Sequence, residues 1–494
     1  MPDERDLDRR GLTVSAPRVR IAPSPTGFFH VGTARTSLFN WLYARRHGGS
    51  FLCRIEDTDE ERNREEWVGT IVEALDWLGL TPDEPPVRQS DFAHAHVAAA
   101  DRLFDAGALY GCDCTREAID ARLEGTGRTG YDGFCRDRGL TRGPGVALRF
   151  RVPDEGETVV RDLILGDVSF PNDAIEDFVV VRSNGTVLFA LANLVDDRAM
   201  EISHVIRGPE HLANAPKQLL MADALDVVEG VVTPTLAFAT VPLLVNEQRK
   251  KLSKRRDPVS LESYRDMGYL ADAMVNFLAL LGWSPRGDDE KVDRATLIEQ
   301  FALEDVNHAP AYFDVAKLTH LNGTYIRALD VDAFIEACRP WVDPREGEWR
   351  PADHAPPWPA DRFDAARFAA IAPLVQERVA TLGEVCQMVD FLFLESPPTD
   401  PAAFDKAIRS QPAARDLLVA ADAAFAACDF DAESLHAALV DVGERQGLNL
   451  RRTQAPVRVA VTGRSIGPPL FESMAILGRD EVRRRIGAAL RDLG

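Results

Sequence analysis

"RIAPSPTGFFHVGTARTSLFNW", Arg20 to Trp41, passes from one periodicity into another. Around its first residues, "RVRIAP" sets Arg18, Arg20 and Ala22 against Val19 and Ile21, the two-residue period of a strand. Pro23, Pro25 and Gly27 end that alternation. From Thr33 onward, Leu38, Phe39, Leu42 and Tyr43 fall at helical spacing, and His47, Gly48 and Gly49 supply the stop. "SFLCRIED" then resumes strand character, so the chain begins with a strand–helix–strand unit, which predicts a parallel α/β sheet. A strand leading through a glycine-containing turn into a helix aims unpaired backbone N–H groups and the positive helix end at one point, where a phosphate is the usual occupant. His30 and Thr33 flank Gly32, so backbone can approach a ligand closely while an imidazole reaches the same place. An ordinary βα turn with a surface histidine is the plain alternative.

Working outward, the 494 residues with 45% hydrophobic content suffice for several packed domains. Residues 1–17 are polar, without an apolar core segment, and read as a loose tail and not a signal peptide. No run approaches the ~18 apolar residues of a membrane span. The seven cysteines (53, 112, 114, 135, 338, 386 and 428) are odd in number and thinly spread, which suits a reducing cytoplasm. The net charge of −21 alone argues against nucleic-acid binding, but the sign along one groove matters more than the total.

Helix-like text follows in "EEWVGTIVEALDWLGL" and "AHVAAADRLFDAGALY". From Cys112 to about Met200 shorter strand-like runs, "VALRFRV", "DFVVVRS" and "TVLFALANLV", predict an insertion between two halves of the sheet. "TPTLAFATVPLLV" returns to apolar strand character and ends in a basic run with six Lys or Arg among the eight residues from Arg249 to Arg256. Helical patterns dominate thereafter, with a proline-rich loop over Arg339 to Pro359 read as a joint. Within the basic run, "KLSKR" (Lys251 to Arg255) reads either as a solvated or nucleic-acid-binding face or, because it follows an apolar strand, as a loop that clamps phosphates.

Taken together, "PSPTGFFHVGT" and "KLSKR" resemble the paired signatures of class I aminoacyl-tRNA synthetases. "RIAPSPTG", "RIEDTD" (54–59), "NLVDD" (193–197), "HVIRG" (204–208), "FDVAKLTHLNGTYIR" (313–327) and "VRVAVTGRSIGPPLFESMAILG" (457–478) resemble bacterial-type glutamyl-tRNA synthetases, in that family's order. The resemblance implies a Rossmann-type parallel-sheet catalytic domain with an α+β insertion, followed by an all-α anticodon-binding region. Its implied layout is a flexible tail (1–17), catalytic halves at 18–111 and 201–255, an acceptor-binding insertion at 112–200, a stem-contact region at 256–330 and anticodon-binding helices at 331–494.

The implied reaction joins L-glutamate to ATP, carried with Mg2+, and passes the acyl group to the end of tRNA(Glu). No nucleophilic side chain is needed, so catalysis is positioning and charge stabilisation. The catalytic groups implied are His30, Thr33, Lys251 and Lys254, with Gly32 and Ser253 completing the ATP site. Glutamate falls to Arg20, Ala22, Ser24, Glu56, Phe189, Asn193 and Arg207, arginine being suited to paired contact with carboxylates. Many family members carry tyrosine where Phe189 stands, so a hydroxyl on the substrate side is missing here; His320 likewise stands where tryptophan is common. Cys112, Cys114, Tyr131 and Cys135 resemble a Zn2+ site of some members, although another version places a histidine where Asp137 stands. Arg378 resembles an arginine that tells the glutamate anticodon from the glutamine one. A cytoplasmic monomer without membrane contact is expected. Charging of tRNA(Gln) as well, or a non-catalytic tRNA-binding paralogue, are the alternatives. A shortened relative and a glutaminyl enzyme fit less well, because the helical C-terminal half is present.

Overall fold

The computed structural model describes residues 16–59, 61–127, 129–253, 258–287, 289–345 and 355–493. Lys254 and most of the 1–17 tail lie outside the described residues. The chain divides into two units: one holds residues up to Glu262 together with Met274–Asp314, the other Ser263–Ala273 and Val315–Gly494.

In the first unit, β1 (Arg18–Ile21), α1 (Val31–Arg46) and β2 (Ser50–Ile55) form the predicted strand–helix–strand start. β1 and β2 pair in parallel, with Arg20 opposite Leu52, and β2 pairs in parallel with β3 (Val87–Arg88) after α2 (Glu65–Trp77). Val19, Arg20 and Ile21 are all buried, as both faces of a strand are when helices cover a parallel sheet. α3 (Ala93–Asp105) then leads to β4 (Leu109–Cys112), and α4 (Arg116–Leu123) follows. β4, β5 (Ala147–Phe150) and β8 (Val179–Val181) make an antiparallel sheet. Between them β6 (Glu157–Asp162) and β7 (Gly166–Pro171) form a hairpin.

Sequence patterning misread one stretch here. "TVLFALANLV" is not a strand: α5 (Phe189–Ala199) begins inside it. Leu191, Leu194 and Val195 recur at helical spacing and are buried, so the apolar run is a buried helix face, which over a short window looks like a strand. β9 (His204–Arg207), α6 (Ala215–Glu229) and β10 (Ala237–Thr240) return to parallel pairing, with Thr240 opposite Arg207. The Ser203 amide donates to the Arg18 carbonyl at 3.0 Å, which sets the start of β9 beside β1. β11 (Leu244–Val245) pairs with β12 (Ala311–Tyr312).

The second unit is helical. Helices such as Val331–Val342, Ala365–Gln376, Val385–Phe393, Ala414–Ala427 and Arg479–Asp492 close over a core that includes Phe334, Trp341, Phe368, Phe391 and Phe425. The loop expected from Arg339 starts later than read, because Val331–Val342 carries Pro340 within its last turn. Burial of Trp341 and Val342 outweighs the one missing backbone donor at that helix end.

Candidate active site

The turn after β1 is held by its neighbours. The Glu56 amide donates to the Pro23 carbonyl (2.9 Å) and the Arg64 amide to that of Pro25 (3.2 Å). His30 is the N-cap of α1, and its Nδ1 accepts the Gly32 N–H at 2.9 Å. That bond makes the neutral ring the Nε2–H tautomer. A Cβ on residue 32 would lie 3.1 Å from His30 Nδ1, so glycine keeps the cap uncrowded. The chain just beyond the basic run returns to the same place. Val31 N–H donates to Val259 O and Leu261 N–H to Phe29 O, both at 2.9 Å, and His30 bridges Ser260. Lys251 sits on the returning side of a tight turn, bridged to Val245. The two signature segments, more than two hundred residues apart, thus meet.

They meet at a cleft of about 510 Å³. Arg20, Ala22, Ser24, His30, Gly32, Thr33, Glu56, Phe189, Asn193, Arg207 and Lys251 all line it. Ser253 is described but does not line it.

Beneath the cleft lies a buried charge network. Arg20 pairs Asp197 through two bonds (Nε–Oδ1 2.9 Å, Nη2–Oδ2 3.1 Å). Arg54, wholly buried, reaches Asp197 Oδ1 (2.6 Å), Asn193 Oδ1 (2.8 Å) and Glu56 Oε1 (3.5 Å). Asn193 in turn donates through Nδ2 to Glu56 Oε1 at 2.6 Å. Behind it Asp196 is held by Gln89 (2.6 Å), His96 (2.5 Å) and Arg54 Nε (3.4 Å). Burial pushes Asp197 up, but Arg20 and Arg54 outweigh it and hold the carboxyl down at about 2. Glu56 moves the other way: burial raises it, against the pull of Arg54 and Asn193.

Arg207 differs from these. Its Nη2 donates to Gln218 Oε1 (2.8 Å) and the His211 carbonyl (3.2 Å), while Nη1 is buried without a partner among the described residues. Among the described residues no carboxylate pairs with it, and burial, then the nearby Arg20 charge, pull it down to about 9. A buried cation with an unfilled donor on a cleft wall is arranged for an anion. Arg35, 3% exposed, likewise has no acidic partner among the described residues: its guanidinium donates to the carbonyls of Leu281 (3.1 Å) and Pro242. Burial lowers it to about 9.

Sequence reasoning passed over Arg35, Arg54, Asp196, Asp197 and His211. The signal for the acids was present: the two consecutive aspartates after Asn193 in "NLVDD" are counter-charges for arginines on neighbouring strands.

Away from the cleft, the thiols of Cys112, Cys114 and Cys135 lie within 4.8 Å of one another. Each receives an arginine N–H: Arg149 to Cys112 (3.3 Å), Arg122 to Cys114 (3.5 Å) and Arg138 to Cys135 (3.2 Å). Tyr131 Oη lies 3.6 Å from Cys112 Sγ and accepts the Cys135 N–H at 2.8 Å. Asp137 instead pairs with Arg151 at 3.1 Å and is exposed. In the helical unit, exposed Arg378 follows the helix Ala365–Gln376 and donates to the Leu374 carbonyl at 2.8 Å. Half-buried Arg458, whose proton affinity is lowered first by burial and then by the Arg378 charge, bonds the Pro468 carbonyl at 2.8 Å.

A parallel sheet with a histidine-capped helix and a lysine turn closing on one cleft is the architecture of the class I synthetases. Residues 17–320 match the family model described as the catalytic domain of tRNA synthetases class I (E and Q), and residues 333–490 match an anticodon binding domain. The glutamate–tRNA ligase of Frankia alni is 57% identical over 96% of this chain and 97% of its own, and that of Thermobifida fusca 50% identical over 98% and 99%. A crystal structure of a glutamate tRNA ligase from Elizabethkingia meningosepticum, in complex with its amino acid, superposes with a TM-score of 0.80 at 28% identity, covering 97% of this chain and all of that one. The chain belongs to the glutamate–tRNA ligase family of class I aminoacyl-tRNA synthetases.

Proposed function

We propose that the chain activates L-glutamate with ATP and transfers it to the end of tRNA(Glu). The observation that carries this reading is Arg207, buried with Nη1 unfilled among the described residues, on a cleft that the start of α1 and Lys251 also line. An anionic amino acid and a polyphosphate are the two ligands that such a cleft takes together. The glutamate α-carboxylate attacks the α-phosphate of ATP, diphosphate leaves, and a ribose hydroxyl of the tRNA then displaces AMP from the acyl carbon. Magnesium enters on the ATP phosphates. His30, through Nε2–H, and Lys251 donate to the charge that builds on the phosphate, while Thr33 presents its helix-start amide and Gly32, whose own N–H is taken by His30 Nδ1, lets the phosphate approach the backbone closely. Lys254 and Ser253 belong to the same motif and are assigned to ATP with it. Arg207 takes a glutamate carboxylate; Glu56, Ser24 and Asn193 face the ammonium; Arg20, Ala22 and Phe189 shape the pocket.

ATP–pyrophosphate exchange with glutamate tests this. Exchange only in the presence of tRNA is expected. Exchange without tRNA overturns the tRNA dependence, and no exchange under either condition favours a non-catalytic paralogue.

Residues 112–200 are assigned to the acceptor end of the tRNA, 256–330 to its stem and 331–494, with Arg378, to the anticodon. Whether tRNA(Gln) is charged too is read by offering both tRNAs. The thiol cluster fits zinc: sulfurs on a tetrahedral zinc lie about 3.8 Å apart, and three thiolates nearly fill its shell. Cys112, Cys114, Cys135 and, as fourth ligand, Tyr131 would hold it, and it would staple the strand end at Cys112 to the loop at Cys135. No helix among the described residues is long and apolar enough to cross a membrane. A cytoplasmic monomer is the reading adopted.

A further inference from the structure

Phe189 is the first residue of α5 and lines the cleft without a polar atom. Its ring stacks on the imidazole of His211, with centroids 5.3 Å apart and planes 24° from parallel. His211 lies in the turn Pro209–Asn214 directly after β9, lines the same cleft, and is half-buried. Its carbonyl accepts Nη2 of Arg207, so imidazole and guanidinium are anchored to one turn. Among the described residues neither ring nitrogen of His211 has a hydrogen-bond partner, and Nη1 of Arg207 has none either.

The electrostatic surroundings keep this ring neutral. Burial lowers its proton affinity first, then Arg207, against an opposing pull from Glu210, and Arg20 and Lys251 add smaller downward effects. A neutral imidazole carries one N–H donor and one acceptor. A half-exposed polar ring propped flat on an apolar one at the cleft wall, beside an arginine with a buried unfilled donor, is placed to meet a ligand.

We propose that His211 is a specificity-determining residue for glutamate: its imidazole N–H donates to the same substrate carboxylate that Arg207 binds. This rests on the assignment of Arg207 to a glutamate carboxylate made above. Two donors, one at the end of β9 and one on the turn after it, match a carboxylate's two oxygens. His211 thereby supplies on this wall the hydrogen bond that the phenyl ring of Phe189 cannot.

Steady-state aminoacylation by the full chain tests it, with KM measured separately for glutamate, ATP and tRNA. His211→Ala is expected to raise KM for glutamate about ten- to hundredfold, the range for losing a hydrogen bond to a charged group. KM for ATP and tRNA should stay within about twofold. His211→Gln, which keeps an N–H donor, should recover most of the loss. Phe189→Tyr should lower KM for glutamate at least about fivefold in the His211→Ala background but less than about twofold in the parent, a coupling that contacting residues show. An unchanged KM for glutamate in His211→Ala, a parallel rise in all three KM values, or equal effects of Phe189→Tyr in both backgrounds overturns the proposal. If instead the parent protein shows no glutamate-dependent exchange, the reading beneath it fails.

Discussion

Arg54 Nη2 lies 2.8 Å from Asn193 Oδ1, although 139 residues separate the two in sequence. Because arginine only donates, this contact turns the amide of Asn193 so that its Nδ2 faces Glu56, at 2.6 Å. An arginine outside the cleft lining thus orients two residues that line it.

Replacing Arg54 should therefore act at two levels. Arg54→Met leaves Asp197, Asp196 and Glu56 short of a buried cation and should cost about 3–5 kcal/mol of stability. Arg54→Lys keeps the charge but not the fork of donors, so it should be less destabilising while raising KM for glutamate more than KM for ATP. Urea unfolding and substrate-resolved kinetics on the two variants check both statements. Equal KM changes for the two substrates would leave Arg54 a purely structural ion.

How far this was legible in sequence depends on locality. Arg20, His30 and Thr33 could be read because one strand, one turn and one helix start carry them within a few residues. The match of Lys251 to His30 came from paired motifs, and the backbone bonds from Phe29 and Val31 to Leu261 and Val259 give its physical basis. Asp197 could not be assigned to Arg20 and Arg54 by periodicity, since pairing across strands distant in sequence leaves no local trace. Misreading Thr186–Val195 as a strand had the same root. Without α5, Asn193 and Asp197 had no reason to share one helix face, although a four-residue spacing puts them there.

His30 has two separable duties. Its Nδ1 caps α1, while Nε2–H is assigned to the phosphate. Asparagine also caps helices well but is too short to reach the ligand. His30→Asn should hold stability within about 0.5 kcal/mol of the parent, whereas His30→Ala should lose about 1 kcal/mol. Both should reduce kcat for exchange by about 10²- to 10³-fold, the usual loss for one donor to developing charge. Normal kcat in the asparagine variant would remove His30 from the chemistry and leave it a cap alone.

The cysteine cluster makes a compositional prediction. Protein purified without a histidine tag should contain about one zinc per chain, and Cys135→Ser should release most of it. Three arginine N–H groups stand at the sulfurs, an outer shell of donors that metal-bound thiolates can use. Chelation should lower the melting temperature of the parent but not that of Cys135→Ser. Metal analysis by mass spectrometry and thermal melts decide it; zinc well below one per chain in the parent ends the claim.

His204 gives the first unit a dependence on pH. It begins β9, its Nδ1 lies 2.8 Å from Ser203 Oγ, and its ring lies 5.1 Å from that of Tyr43. Burial, then the charges of His47 and Arg161, lower it to about 4 from the ordinary 6.5. A base depressed by folding is protonated first in the unfolded chain. Stability is therefore fully present above about pH 6.5 and falls as pH drops toward about 4, where the native ring finally charges. The displacement from 6.5 to about 4 sets a ceiling of roughly 3 kcal/mol on the loss. His204→Phe keeps the aromatic contact with Tyr43 and removes the titration. Urea midpoints of the parent should drop between pH 7.5 and pH 5 by more than those of His204→Phe; equal drops would place the acid sensitivity on other groups.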